Sequence, residues 1–337
     1  MGFPYQSKAA GATSQEAGAK RIAVVTTSWP WSEGDPSGHF VRAEVRELRD
    51  AGAEIVVFAP QAAAGVQSEH SFSPGIDVVP VPALGAFGFP GVLARVRARP
   101  WLALGAAEFV RAGQAALRHA GPYDRVITHW AVPSAYPMVV GIDPIELAAP
   151  IEVVSHGGDV RLLEAMPGPL RTHVVSRIVE RAATWRFVSE TLAEQLLRSI
   201  AQRPNLVRAV RAKMVITPSP FDLPVVSTDA EALRALQGDF VVSVGRLIRT
   251  KRVDAAIRHA AQEHRRLVIV GDGPERGALE RLARELGADV TFTGLVPRQR
   301  ALAWIAASSE LWFASEAEGS STVLREARAL GRPVREL

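Results

Sequence analysis

Short, continuous apolar runs alternate along this chain with amphipathic stretches, and each run ends in a glycine-, proline- or hydroxyl-rich loop. Residues 21–27 (Arg-Ile-Ala-Val-Val-Thr-Thr) read as a buried parallel strand. A loop to His39 leads into a helix over about 40–51 and a second strand over 54–59, so the chain opens on a βαβ unit. Further strands are expected at 76–82, 124–130, 151–155, 185–188 and 213–216, with helical spacing at 92–119, 170–183 and 191–200. Pro218, Pro220 and Pro224 then interrupt the pattern, because proline blocks helix and interior strand alike. The alternation restarts with strands at 240–244, 266–270, 290–294 and 311–314 and helices between them. The expected fold class is therefore α/β, with two Rossmann-like parallel-sheet domains facing across a cleft. Its divisions are a leader at 1–20, a first domain at 21–222, a linker at 223–235 and a second domain at 236–337.

The last strand breaks into Ser315-Glu316-Ala317-Glu318-Gly319-Ser320-Ser321-Thr322 and resumes as a helix from Val323 that Gly331 and Pro333 stop. Three hydroxyls stand at the helix start, where unpaired N–H groups and the positive end of the helix dipole suit a phosphate. Glu318 and Glu326 flank that start; two acids in the first turns of a surface helix give the same pattern. In the loop after the 240–244 strand, Gly245 permits a turn, and Arg246 and Lys251 put two cations on one segment, the means of neutralising a diphosphate without a metal. No Asp-x-Asp occurs anywhere, and no metal site is expected. His129 and His156 each end a strand, where ligands bind in open α/β sheets. His156 precedes two glycines that let backbone approach a ligand; a structural strand-end histidine is the alternative for both.

The run Glu318-Gly319-Ser320-Ser321-Thr322-Val323-Leu324-Arg325-Glu326-Ala327, closed by Leu330-Gly331-Arg332-Pro333-Val334, resembles the E-x(7)-E signature of retaining, nucleotide-sugar-dependent GT-B glycosyltransferases of family 4. Gly245-Arg246 with Lys251 resembles the family's G-R-x-x-x-x-K segment, and His156-Gly157-Gly158-Asp159 its His-x-x-Asp segment. The resemblance covers nearly all of the chain after residue 20.

It implies a catalytic set of His156, Glu318, Arg246 and Lys251. It adds donor contacts at Gly245, Gly271, Leu295, Val296, Gly319, Ser320, Ser321, Thr322 and Glu326, with Glu326 on the ribose and Glu318 and His156 on the sugar. Gly38, His39 and His129 fall on the acceptor side. The donor is a nucleoside-diphosphate sugar acting as substrate, no further cofactor is implied, and the acceptor is a glycan, a lipid-linked molecule or a small molecule. The family pattern continues beyond Gly-x-Pro-Val, whereas here only Arg335-Glu336-Leu337 follow Val334, so the second domain reads as shortened. A sugar-nucleotide epimerase of the same fold and a silent nucleotide-sugar-binding protein remain alternatives.

Composition narrows this picture. With 337 residues, 47% hydrophobic, the chain has material for two cores. It contains no cysteine, which removes disulfide and thiol chemistry and suits a reducing cytoplasm. The Ala/Gly/Ser-rich first 20 residues lack the apolar core of a signal peptide. A formal charge of +4 fits anionic small molecules or a membrane surface, and no nucleic-acid motif accompanies it. A dehydrogenase would need G-x-G-x-x-G at the first strand-to-helix turn, and it is absent. Residues 92–119 alternate Arg95, Arg97, Arg99, Arg111 and Arg118 with apolar side chains. That pattern suits peripheral contact with an anionic bilayer or, more simply, a solvated arginine face.

Overall fold

The computed structural model describes residues 20–31, 38–62, 75–88, 92–315 and 322–337. The first sheet is laid down by β1 (Arg21–Val25), α1 (His39–Asp50), β2 (Glu54–Pro60), β3 (Asp77–Val81), α2 (Val92–Ala98), α3 (Leu102–Ala120), β4 (Arg125–His129) and β5 (Ile151–Ser155). It continues through α4 (Gly158–Ala165), α5 (Gly168–Arg181), β6 (Ala182–Phe187), α6 (Glu190–Ser199), α7 (Pro204–Lys213) and β7 (Met214–Ile216). Its strand order is β3-β2-β1-β4-β5-β6-β7, and every pair is parallel.

The second sheet follows α8 (Ser227–Gln237) and comprises β8 (Val241–Val244), α9 (Val253–Glu263), β9 (Leu267–Val270), α10 (Arg276–Glu285), β10 (Val290–Gly294), α11 (Arg298–Ala307), β11 (Glu310–Phe313), α12 (Thr322–Ala329) and β12 (Val334–Glu336). Its order is β10-β9-β8-β11-β12, again all parallel. In each sheet the strand order reverses beside the first strand, between β1 and β4 and between β8 and β11. A crevice opens there at the strands' carboxyl ends.

The apolar runs become central strands because helices cover both faces. Val24 pairs with Val57 on one side and Ile127 on the other, and all three are buried. Trp185 and Phe187 of β6 are fully buried and stack with ring centroids 5.4 Å apart; truncating either would cost about 3–5 kcal/mol. The expected helical region at 92–119 divides in two around Pro100, which a helix interior does not accommodate. After β4 the chain makes an irregular wide helical segment, Ala131–Val139. Val132 and Tyr136 are extended there because each precedes a proline, Pro133 and Pro137. The stretch expected as linker, 223–235, contains the start of α8, whose Ala230 and Leu233 join Val226 in the second core. Residues 217–226 are the irregular connection between the sheets.

One buried polar network crosses the first domain. Arg186 on β6 hydrogen-bonds Glu152 on β5 at 2.9 Å and pairs with Glu44 on α1, and Arg125 on β4 takes the other oxygen of Glu152. Burial raises the pKa of Glu44 and the Arg186 guanidinium opposes that rise.

Candidate active site

On the first sheet the site is built from the ends of β1, β4 and β5. Gly38 caps α1 with φ 66°, and a Cβ there would lie 2.3 Å from the carbonyl oxygen of Ser28, so only glycine fits. His39 begins α1. His129 ends β4 and is fully buried; His156 follows β5. The two rings stack at 5.1 Å, with His129 Nδ1 2.9 Å from His156 Nε2. Burial, then the field of Arg186, lowers the pKa of His129 to about 3. Burial, His129 and Arg186 likewise hold His156 well below its ordinary value. Both imidazoles are therefore neutral at physiological pH. They serve as hydrogen-bonding groups, and neither supplies charge.

Asp159 fixes this corner. Its carboxylate accepts from the backbone N–H groups of His156 and Gly157 (3.1 and 3.0 Å) and of Ala131 (2.8 Å), tying the β4 and β5 loops to the start of α4. Trp130, with φ 72°, is held by its N–H on Val154 O at 2.8 Å, and its indole packs against His156 and Phe40.

On the second sheet Gly245 and Arg246 follow β8, and a short 3₁₀ turn carries Lys251 back over Gly245. Lys251, Gly245, Ala314 and Ser315 line one small cavity at the β8–β11 crevice, and Ser315 Oγ reaches Thr250 O at 3.2 Å. The loop bearing the two cations therefore meets the loop that leads to α12. Burial first, then Arg246 and Arg161, lowers the pKa of Lys251 to about 8. Burial and Arg161 also lower that of Arg246. Arg161, whose field acts on both, belongs to α4 of the first domain. Gly271 ends β9 and donates its N–H to Gly294 O at 3.0 Å; Leu295 and Val296 follow β10, the leucine exposed.

Thr322 is the first residue of α12. Glu326, one turn on, is 5% exposed; Arg298 Nη2 holds its Oε1 at 2.8 Å, and His39 Nε2 lies 3.8 Å from the same oxygen. Burial raises the pKa of Glu326, and Arg298 opposes it. Glu318, Gly319, Ser320 and Ser321 lie outside the described residues. Among the described residues no cluster of His, Asp and Glu could hold a metal.

The connection between the sheets is part of the site. Ser219 Oγ is 3.4 Å from His156 Nδ1, and the Ser219 carbonyl accepts from Arg325 of α12, whose guanidinium also lies 4.6 Å from the Phe221 ring centroid. Asp222 pairs with Arg46 of α1 at 3.1 Å, and its carbonyl accepts from Arg298. The structure thus brings His156, His129, His39 and Glu326 around one side of the cleft and Gly245, Arg246 and Lys251 around another. Sequence reasoning missed Arg161, Arg298 and the Ser219–Asp222 segment. A signal existed for Arg161: a cation one turn into a helix opposes the dipole there.

Two Rossmann-like domains that meet at the carboxyl ends of their strands, around a cluster of cations, define a GT-B fold. The chain belongs to the group 1 glycosyltransferases: the glycosyl transferase 4-like domain model matches residues 37–212 and the glycosyl transferases group 1 model residues 238–334. A D-inositol 3-phosphate glycosyltransferase of Mycobacterium leprae is 30% identical over 185 residues, 51% of this chain; the match spans only 42% of that relative. Among solved structures, sucrose-phosphate synthase from Thermosynechococcus elongatus superposes with a TM-score of 0.69 at 21% identity, over 94% of this chain and 81% of its own. Starch synthase IV of Arabidopsis thaliana, bound to ADP and acarbose, gives 0.69 at 15% identity, over 95% and 83%. Anabaena HepE with UDP-glucose gives 0.62 at 18% identity, over 94% and 80%. At these identities the likeness is one of fold.

Proposed function

We propose that the protein is a cytoplasmic, retaining glycosyltransferase that moves a sugar from a nucleoside diphosphate to an acceptor hydroxyl. The observation that carries the reading is the loop after β8, where Gly245, Lys251, Ala314 and Ser315 line one cavity at the crevice and Arg246 follows Gly245. Cationic side chains on one loop at a strand's carboxyl end suit an anionic ligand of two phosphates. In the reaction the bond from the sugar C1 to the β-phosphate oxygen breaks and a bond from C1 to the acceptor oxygen forms on the same face. The acceptor proton passes to the departing phosphate. Negative charge therefore grows on the diphosphate, and Arg246 and Lys251 stabilise it where it grows, together with the start of α12. With cations in this position and no Asp-x-Asp in the chain, the transfer is read as metal-independent.

Glu326 takes a ribose hydroxyl on its Oε2, because Arg298 already occupies Oε1 and orients the carboxylate. His156 meets the sugar as a neutral donor or acceptor. Its 3.4 Å contact with Ser219 is the weaker of its two and the one a sugar hydroxyl displaces. By the family resemblance Glu318 is read as a further sugar contact. The likeness to structures bound to UDP-glucose and to ADP with acarbose supports a nucleotide-linked donor. Incubation of the purified chain with UDP-, ADP- and GDP-sugars, followed by product analysis with and without sugar acceptors, tests this. A new glycoside with the donor's anomeric configuration is expected. An epimerised donor without acceptor would identify an epimerase, and binding without any diphosphate release a silent binder; either result overturns the reading.

A further inference from the structure

We propose that the protein docks on an anionic bilayer through a surface formed by the turn after β3, α2 and the first turn of α3. The patch is apolar at its centre. Leu84, Trp101 and Leu104 are 55%, 55% and 67% exposed, high values for side chains of this size. They belong together in space. A Cβ on Gly105 would lie 3.0 Å from Leu84 Cβ and 2.2 Å from Ala83 O, so the turn after β3 rests directly on the start of α3, next to Leu104. Leu84 does not point outward by accident of a loose loop. It has φ 44°, a backbone region that bulky side chains avoid, and the turn is closed by Ala86 N–H on Ala83 O (2.8 Å) and by Arg95 Nε on Gly85 O (2.9 Å).

The charge along this stretch of chain has one sign. Between Asp77 and Glu108 the only charged residues are Arg95, Arg97 and Arg99. Arg97 and Arg99 are exposed and make no ion pair among the described residues. Glu108, one turn beyond Leu104, has one carboxylate oxygen buried. A tryptophan and two leucines flanked in sequence by exposed arginines match the boundary between acyl chains and anionic headgroups: the apolar groups enter the interface and the guanidinium groups stay with the phosphates. The surface carries both attractions, apolar insertion and charge, that durable peripheral binding requires.

The position of the patch gives it a consequence. β3 is the edge strand of an all-parallel sheet, so the turn at its carboxyl end lies at the same end as the loops bearing Trp130 and His156. A docked molecule would hold its cleft near the headgroups, where a lipid-linked acceptor is found. Only that last consequence rests on the transferase reading; the docking stands or falls on vesicle binding.

The experiment is flotation of the full chain with vesicles of phosphatidylcholine alone or of equal parts phosphatidylcholine and phosphatidylglycerol, at low and high salt. Binding to the anionic vesicles only, weakened by salt, is expected. Arg97→Gln with Arg99→Gln should reduce partitioning about 25-fold, the product of two surface cations each worth about fivefold. With brominated acyl chains, quenching of tryptophan emission should be seen in the wild type and lost in Trp101→Phe. Three results would overturn the proposal: no binding to anionic vesicles at low salt, equal binding to neutral ones, or wild-type binding by the arginine variant. Tighter binding of a DNA duplex than of vesicles, abolished by the same arginine changes, would also overturn it. UDP-induced thermal stabilisation, measured in parallel, reports the donor site separately, so failure of docking and failure of the transferase reading are distinguishable.

Discussion

At the ends of β4 and β5 the polar groups are two stacked, neutral imidazoles beside Trp130 and Phe40, whereas at the end of β8 they are Arg246 and Lys251, faced by Arg161. Both places lie at the carboxyl ends of strands beside a topological switch point. They differ in how each handles charge. The first domain keeps its charge one layer back, in the Glu44–Arg186–Glu152–Arg125 network, and burial, reinforced by the Arg186 field, keeps His129 and His156 uncharged. The second brings its cations to the surface of the crevice and leaves Lys251 depressed by burial and by its neighbours. A neutral, aromatic-lined end suits sugar hydroxyls and ring faces; a cationic end suits phosphates. One scaffold thus yields two complementary half-sites, and the Ser219–Asp222 segment joins them.

The hardest way to break the comparison is to remove the charge behind the histidines. Arg186→Met leaves Glu44 and Glu152 buried with the partially exposed Arg125 as their remaining cation, so the fold should lose about 3–5 kcal/mol. Chemical denaturation reads this directly, and a loss under 1 kcal/mol would show that the network is not the support assigned to it. NMR titration of the ring protons adds a finer readout. Without the Arg186 field, the His129 and His156 pKa values should rise, though burial still keeps them below that of a free histidine.

Next in size is the cationic end. Lys251→Ala should lower turnover by about 2.7–4 kcal/mol of barrier, roughly 100- to 1000-fold, the range for removing one donor aimed at developing negative charge. Its stability should change little, so the loss of turnover is read on a folded protein. Lost activity at nearly unchanged stability would separate this end from the first, where Arg186→Met lowers stability. Unchanged turnover in a folded Lys251→Ala would remove Lys251 from the site.

How much of this was legible in the sequence follows from the distance over which each feature is encoded. Strand ends are local: Val153-Val154-Ser155-His156-Gly157-Gly158 states both the strand and the break that follows it, and Val244-Gly245-Arg246 does the same. The Arg161–Lys251 approach joins residues 90 apart in the chain, and no local pattern states which face of α4 turns toward the second domain. The Glu326–Arg298 pair has the same character: the acid was legible as a helix-start carboxylate, its partner on α11 was not. The connection at 217–226 read as a passive spacer because prolines announce only the absence of regular structure. In three dimensions its carbonyls and Ser219 make some of the few contacts that cross between domains.

The smallest effect is a pH dependence, and it sharpens the contrast without a mutation. Lys251 has its pKa lowered from 10.5 to about 8, so below pH 8 it is charged in both the folded and the unfolded chain, and the folded state carries the full burden of a buried cation. As pH rises from 8 toward 10.5, the folded chain releases that proton before the unfolded one does. The unfolded state then binds more protons, and this residue's contribution to stability increases with pH. Affinity for a diphosphate moves the other way, because the cation that attracts it disappears: at pH 9 binding should be about tenfold weaker than the low-pH limit. Calorimetric titration with UDP across pH 6.5–9.5 measures the affinity, and in the same range binding should take up a proton. The histidine end predicts no such slope, since a pKa near 3 keeps His129 neutral throughout. A flat affinity profile between pH 7 and 9 in the wild type, indistinguishable from that of Lys251→Met, would show that the cation does not meet the phosphates. A slope present in the wild type and absent in Lys251→Met would assign the diphosphate to this end of the cleft.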